Sequence, residues 1–237
     1  MNEPLYRRDP YLREAPARVL SATPEGIVTD ASLFYPTGGG QPGDCGWLIW
    51  DGGQTAIATT RKGEEGVVLV PEAGATLPPE GTQAMLRLNW DIRHGHMRVH
   101  TALHLLSVVI ALPVTGGQIG ADKGRLDFAM PNAPEDKDAL EAALNALIAR
   151  DLAVTEDWIT DAELAANPGL VKTMSVAPPT GQGRVRLIRI GAGVEQVDLQ
   201  PCGGTHVART AEIGRVTLGK IENKGRQNRR VNLHLAE

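Results

Sequence analysis

The sequence predicts an α+β protein, with a small N-terminal β-barrel followed by a domain of helices and mostly antiparallel strands. Three observations predict it. Residues 1–88 carry short apolar runs broken by glycine and proline, the pattern of a small barrel. A helical texture begins near "NWDIRHGHMRVH", and several strand-like runs follow it toward the C-terminus. Runs of strands and helices that do not alternate regularly point to α+β. With 237 residues the chain holds one large domain or two modest ones. We place the division at residue 90, giving a barrel over 1–90 and a second domain over 91–237.

In the first part, "ARVLSA", "GIVTDA", "GWLIW", "GVVLV" and "AMLRL" read as strands. Between the second and third lies "FYPTGGGQPGDCG", an ordered glycine loop or an anion-binding nest. No Gly-Lys-Ser/Thr follows it, so it is not a P-loop. No helix follows it in the manner of a dinucleotide fingerprint, so no nucleotide cofactor is expected. A tight cluster of β-turns explains the same glycines.

In the second part, "HMRVHTALHLLSVVIAL" is apolar on most sides and reads as a helix largely buried in a core. "TGGQIGADKG" reads as a glycine-rich turn and "RLDFAM" as a strand. Leu140, Leu144, Leu147 and Ile148 follow the i, i+4, i+7, i+8 spacing of an amphipathic helix within "APEDKDALEAALNALIARDL". Acidic residues crowd its first turn, where the helix dipole favours them. "TDAE", Thr160 to Glu163, reads as a capping box that opens a short helix ending at Asn167-Pro168-Gly169. Strands follow at "RVRLIRI", "VEQVDL", "GRVTLGKIE" and "RRVNLHL".

Composition narrows the class. No apolar run reaches the roughly 18 residues of a transmembrane helix, and the N-terminus has no apolar signal core. A cytoplasmic location without membrane attachment is the expectation. The two cysteines, Cys45 and Cys202, are expected to be reduced there. A net charge of −4 argues against general coating of nucleic acid. Residues 215–230 are the exception, with Arg215, Lys220, Lys224, Arg226, Arg229 and Arg230 against the single acid Glu222. Such a segment is either a solvated strand edge guarded by cations or a local face for RNA phosphates.

Two half-motifs carry the chemistry. His100 and His104 lie four apart on the predicted helix, so their imidazoles share one face. The residue after His100 is Thr101, so the glutamate base of a zinc-protease motif is absent. A hydrogen-bonded core histidine beside a surface one explains the pair equally well. Cys202 and His206 bracket "GGT", where Gly203 and Gly204 permit positive φ and a tight turn that brings sulfur and imidazole together. Jointly the four side chains are a full tetrahedral donor set for Zn²⁺, with either a structural or a catalytic role.

The segments "RVHTALHLL", "GGQIG", "RLDF", "LNALIA", "PCGGTHVARTAEIG" and "KIENKGRQNRRV", in that order, closely resemble the editing domain of alanyl-tRNA synthetase, and "FYPTGGGQPGD" resembles the same family. The chain is similar to medium-sized free-standing alanyl-tRNA editing proteins over nearly its whole length. The resemblance implies a translation-protein-like barrel, a threonyl/alanyl-tRNA synthetase-type editing domain and one Zn²⁺ per chain. It implies hydrolysis of the ester in mischarged tRNA(Ala), usually seryl and sometimes glycyl. It carries the metal ligands onto His100, His104, Cys202 and His206, and places Gln118 in the pocket near the aminoacyl group. Gly38, Gly39, Gly40 and Gln41 become a wall of the site. Thr101 and Thr205 are candidates for hydrogen bonds to the substrate, and Lys220, Lys224, Arg229 and Arg230 for phosphate contacts. Ala121 stands where many relatives carry serine. A zinc-stabilised RNA-binding module without catalysis is the alternative. Oligomeric state is not legible.

Overall fold

The computed structural model describes residues 3–64, 66–134, 136–173 and 183–236. They form two compact units, residues 1–95 and 96–237.

In the first unit, β1 (Glu3–Pro4) pairs in parallel with β4 (Ala31–Ser32), with the single helical turn α1 (Leu5–Arg8) between them in sequence. The remaining strands are β2 (Glu14–Thr23), β3 (Gly26–Thr29), β5 (Gly46–Trp50), β6 (Gly53–Gly63), β7 (Gly66–Pro71) and β8 (Gln83–Leu88). They close a barrel in the order β2-β3-β7-β6-β5-β8, which leaves no unpaired edge. Alternate residues point inward: Ala15, Ala17 and Val19 from β2, Val67 and Leu69 from β7, Ala84, Leu86 and Leu88 from β8. The five runs read from the sequence all fall on these strands. The sixth barrel strand, β6, was not legible. Its inward positions include Thr55 and Thr60, both fully buried, whose hydroxyls donate to the carbonyls of Thr76 (2.5 Å) and Asp44 (2.8 Å). A bulge between Ile57 and Thr59 further breaks the period-2 pattern.

The glycine loop is fastened by a buried ion pair. Arg93 and Asp44 have side chains 0% and 1% exposed. The Arg93 guanidinium donates Nε to both Asp44 oxygens (3.0 and 2.8 Å) and Nη2 to Oδ2, then Nη1 to Pro10 O and Nη2 to Leu33 O, both at 3.0 Å. Asp44 also accepts the Tyr35 amide at 2.5 Å. Removing one partner of such a pair strands a charge in the core. Asp44→Ala is expected to lower the unfolding free energy by about 3–5 kcal/mol, read as a shifted urea midpoint. Arg93→Met on that background should recover part of the loss; a midpoint unmoved by Asp44→Ala would contradict the role.

The helix α2 (Trp90–Val109) starts within "NWDIRHGHMRVH", where the helical texture was read, and the division between the units falls inside it. The second unit continues with β9 (Val114–Ile119), β10 (Lys123–Ala129), α3 (Lys137–Ala149), β11 (Val154–Thr160), α4 (Asp161–Ala166), β12 (Arg184–Ile190), β13 (Asp198–Pro201), β14 (Val216–Asn223) and β15 (Asn228–Leu235). The strands form two antiparallel sheets, ordered β14-β15-β10-β9 and β11-β12-β13. The α+β class read from the sequence is the observed one.

Several local readings need correction. "VTGGQI" is strand β9, not a turn: Gly116 and Gly117 sit opposite Asp127 and Leu126, and a Cβ on Gly117 would meet Leu126 Cδ2 at 3.0 Å. The glycines make room for the neighbouring strand. Strand β11 was not read because it is an edge strand without a fully buried position. In "VEQVDL" only Asp198 and Leu199 belong to a strand; residues Gly193–Glu195 make a 3-10 turn. The expected capping box is present at α4, and α3 has a side-chain cap as well. Asp136 Oδ1 accepts the Ala139 amide at 2.8 Å, and Thr160 and Glu163 form the capping box.

The edge strand β14 is covered from α3. Asn145 accepts the Val216 amide (3.0 Å) and donates to the Val216 carbonyl (2.9 Å). Glu141 accepts from Leu218 N (2.8 Å) and Lys137 donates to Leu218 O (2.9 Å). These side chains substitute for a missing strand and block edge pairing. The covered stretch is Val216–Leu218, and Lys220 and Lys224 lie beyond it.

Candidate metal centre

Helix α2 is buried along the stretch that carries the two histidines. His100 and His104 are 6% and 8% exposed, one turn apart on one face. The chain returns to them after β13, where Cys202, Gly203, Gly204, Thr205 and His206 form the ligand turn. His100, His104, Cys202 and His206 each offer one ligand atom, and these atoms lie within 4.8 Å of one another. Cys202 Sγ is 3.4 Å from His100 Nε2 and 3.3 Å from His206 Nε2. A tetrahedral zinc with Zn–S near 2.3 Å and Zn–N near 2.0–2.1 Å separates sulfur from nitrogen by about 3.5 Å. The donor set and its spacing both fit that ion.

Hydrogen bonds decide which nitrogen faces the cluster. The Thr101 hydroxyl donates to Met97 O at 2.9 Å and accepts the Val207 amide at 3.3 Å. Its proton being committed, it can only accept from His206 Nδ1 at 3.1 Å. His206 therefore carries its proton on Nδ1 and turns a lone pair on Nε2 toward Cys202. Likewise, His104 Nδ1 donates to Asp198 Oδ2 at 3.0 Å, which leaves Nε2 as its ligand atom. Asp198 is buried and also accepts from Gln200 Nε2 (2.7 Å) and Lys172 Nζ (2.5 Å). A carboxylate behind a histidine ligand fixes the tautomer and raises ligand basicity.

The electrostatics follow. Burial raises the Cys202 thiol, but the His100 and His206 rings outweigh it and hold the thiol well below its ordinary value. Burial and the neighbouring His100 push His206 down, so its ring is neutral. Burial alone lowers His104, but the Asp198 carboxylate and Cys202 lift it to about 9. Burial raises Asp198, yet His104 and Lys172 draw it down to about 2. A thiolate against neutral and charged imidazoles is the arrangement of a soft cation site.

The turn is shaped by Arg186 rather than by left-handed glycines. Among the described residues neither Gly203 nor Gly204 has positive φ, contrary to the sequence reading. Arg186 Nη1 donates to the carbonyls of Cys202 (3.0 Å) and Gly204 (2.9 Å), and Nη2 to Glu156 Oε1 (2.5 Å). Gly203 is exposed and Cys202 half-buried, so the cluster opens to solvent on the side of this turn. Both cysteines are free.

The other candidate residues divide. Thr101 is fully buried and its hydroxyl holds His206. Thr205 is buried in the ligand turn. Gln118 is not brought to the cluster. It lies opposite Arg125 on the sheet, and Arg125 Nε donates to its Oε1 at 3.2 Å. The neighbouring Gly124 points the other way, toward Val99 and Leu103 of α2. Strand alternation thus sets Gln118 on the face turned away from the metal ligands. In the first unit, Gly38 and Gln41 exchange backbone hydrogen bonds of 3.0 Å, and the tip Gly39-Gly40 is exposed with φ of +58° and +82°. Of the basic residues, Lys220 is exposed and Lys224 pairs with Glu222 at 3.0 Å. Arg229 Nη1 donates to the Gly225 carbonyl at 2.9 Å, and Arg230 grips Asp127 with two bonds of 2.8 and 3.0 Å. Asp198, Gln200, Lys172 and Arg186 were missed. The only signal for the first two was their spacing ahead of Cys202 in "DLQPC".

The family model described as the threonyl and alanyl tRNA synthetase second additional domain matches residues 185–232. The alanyl-tRNA editing protein AlaX-M of Methanosarcina barkeri is 34% identical over 100% of this chain and 100% of its own length. The AlaX-L protein of Pyrococcus horikoshii is 30% identical, over 95% of this chain and 56% of its own. The alanine–tRNA ligase of Pyrobaculum arsenaticum is 32% identical, over 92% of this chain and 25% of its own.

Proposed function

The chain belongs to the alanyl-tRNA editing proteins of the AlaX type, and from that premise we propose that it is a deacylase of mischarged tRNA(Ala). Seryl-tRNA(Ala) is its chief substrate and glycyl-tRNA(Ala) a second. The observation that carries the reading is the convergence of His100, His104, Cys202 and His206 within 4.8 Å, on a cluster half-open at Cys202. Zn²⁺, one per chain, is the ion we assign to these residues, which would hold it through one thiolate and three imidazoles; bound there it would supply Lewis acidity.

The chain's own groups have separable tasks. Thr101 and Asp198 orient His206 and His104. Arg186 holds the ligand turn so that the exposed Gly203 lets the acylated ribose approach. Water adds to the ester carbonyl carbon, the bond to the ribose oxygen breaks, and that oxygen leaves with a proton. Serine differs from alanine by a hydroxyl, and a site that hydrogen-bonds this group can reject the analogue lacking it by ~10⁴-fold or more. Thr205 is our assignment for that contact, since it sits between Cys202 and His206 in the turn. Gln118 faces away and takes an RNA-facing role instead. We assign Gly38, Gly39, Gly40 and Gln41 as RNA contacts of the barrel, through the exposed Gly39-Gly40 tip.

Lys220 and Lys224, with weaker contributions from the internally bonded Arg229 and Arg230, contact phosphates. The KM for charged tRNA should therefore rise with salt, because each neutralised phosphate releases counterion. A KM independent of ionic strength would remove this face from the account. A second reading, a zinc-stabilised RNA-binding module, draws support from the four protein donors, which suffice to close a structural zinc. It predicts one metal and tRNA affinity with no turnover; hydrolysis of seryl-tRNA(Ala) that is lost on chelation favours the deacylase.

A further inference from the structure

One aromatic side chain lies outside the buried core, on a strand beside the one that carries Arg186. Trp158 is 39% exposed, the one aromatic among the exposed large apolar side chains of the described residues. It lies on the edge strand β11, directly opposite Arg186 of β12. Residues opposite each other in an antiparallel pair project from the same face, with Cα atoms about 5 Å apart. Arg186 is the residue that holds the carbonyls of Cys202 and Gly204. The face that carries Trp158 is thus the face beside the exposed Gly203, where the metal cluster opens. A Cβ on Gly203 would meet nothing within 4 Å.

A cation shares this face. Arg184, two residues before Arg186 and therefore on the same side of β12, places its guanidinium carbon 5.4 Å from the centre of the Trp158 ring. Among the described residues no carboxylate forms an ion pair with Arg184. Glu156, also on this face, is taken by Arg186 at 2.5 Å. The face therefore presents a flat aromatic ring and one uncompensated guanidinium next to the reaction centre.

We propose that Trp158 and Arg184 form a clamp for the unpaired 3′-terminal nucleotide that carries the ester. The indole stacks on the base and the guanidinium meets its phosphate. This rests on the deacylase reading and adds to it the residues that meet the terminal base. Stacking suits an end that is single-stranded and is indifferent to base identity. A guanidinium is the side chain that joins ring stacking to phosphate recognition. Exposure of a tryptophan at the mouth of the cluster then has a cause.

The test is steady-state deacylation of seryl-tRNA(Ala) by the zinc-loaded full chain. Trp158→Ala should raise KM by roughly 5- to 100-fold with kcat within about twofold, and Trp158→Phe should restore most of the loss. Arg184→Gln should raise KM and reduce the salt slope by about one. A KM for Trp158→Ala within twofold of the parent overturns the clamp while leaving the deacylase intact. A second arm does not depend on turnover. Titrating the trinucleotide CCA should quench indole fluorescence in the parent and far less in Trp158→Phe. Equal quenching in both, or none in the parent, overturns the clamp. If the parent hydrolyses no mischarged tRNA, the deacylase reading fails and this arm alone decides the clamp.

Discussion

Cys202→Ala is expected to lose bound metal and deacylation together, with activity down by at least roughly 100-fold. Cys202 supplies the one thiolate of the cluster, 3.4 and 3.3 Å from His100 and His206. Its negative charge is what two buried imidazoles share. Without it, three imidazoles must hold a dication with only the Asp198 carboxylate behind His104 to offset the charge, which weakens binding. The fold should survive. Alanine is smaller, the position is half-buried, and Arg186 grips the carbonyl of residue 202 rather than its side chain. Metal analysis by atomic emission, circular dichroism and initial deacylation rates separate these effects. Retention of metal and activity would remove Cys202 from the site.

Asp198→Asn should weaken metal affinity by about 10- to 100-fold while leaving the KM for tRNA close to that of the parent. The carboxylate holds Nδ1 of His104 at 3.0 Å and is itself held by Gln200 and Lys172. Asparagine keeps the size and an acceptor oxygen but removes the charge that makes Nε2 of His104 a stronger base. It also leaves Lys172 without its partner at the buried position. Competition with a chelator of known affinity reads the loss directly. An affinity within twofold of the parent would show that Asp198 serves packing rather than the metal. The two substitutions act at different depths: the first removes a ligand, the second loosens one.

The four side chains that cluster were legible because each half-motif is local. A spacing of four between histidines on a helix, and of four between Cys202 and His206 on a turn, encodes convergence whatever the rest of the chain does. The groups that aim those ligands were not legible. Asp198 meets His104 across 94 positions and Arg186 reaches the ligand turn through its side chain; neither has a spacing rule. Arg93 and Asp44 are 49 apart and look like ordinary surface charges in the sequence. The fold shows the same division. Strands with one apolar face, such as β2 and β8, announced themselves. β6 hides its inward side behind threonines, and β9 looks like a turn because close strand packing requires its glycines. Gln118 shows the consequence. Read in a turn it could point anywhere, but as a strand residue opposite Arg125 it must face away from α2.

The most direct test is deacylation by the purified protein, with metal content measured on the same sample. The account predicts one zinc per chain, rapid hydrolysis of seryl-tRNA(Ala), slower hydrolysis of glycyl-tRNA(Ala), and alanyl-tRNA(Ala) left intact. Protein carrying one zinc per chain that leaves both seryl- and glycyl-tRNA(Ala) intact would contradict it.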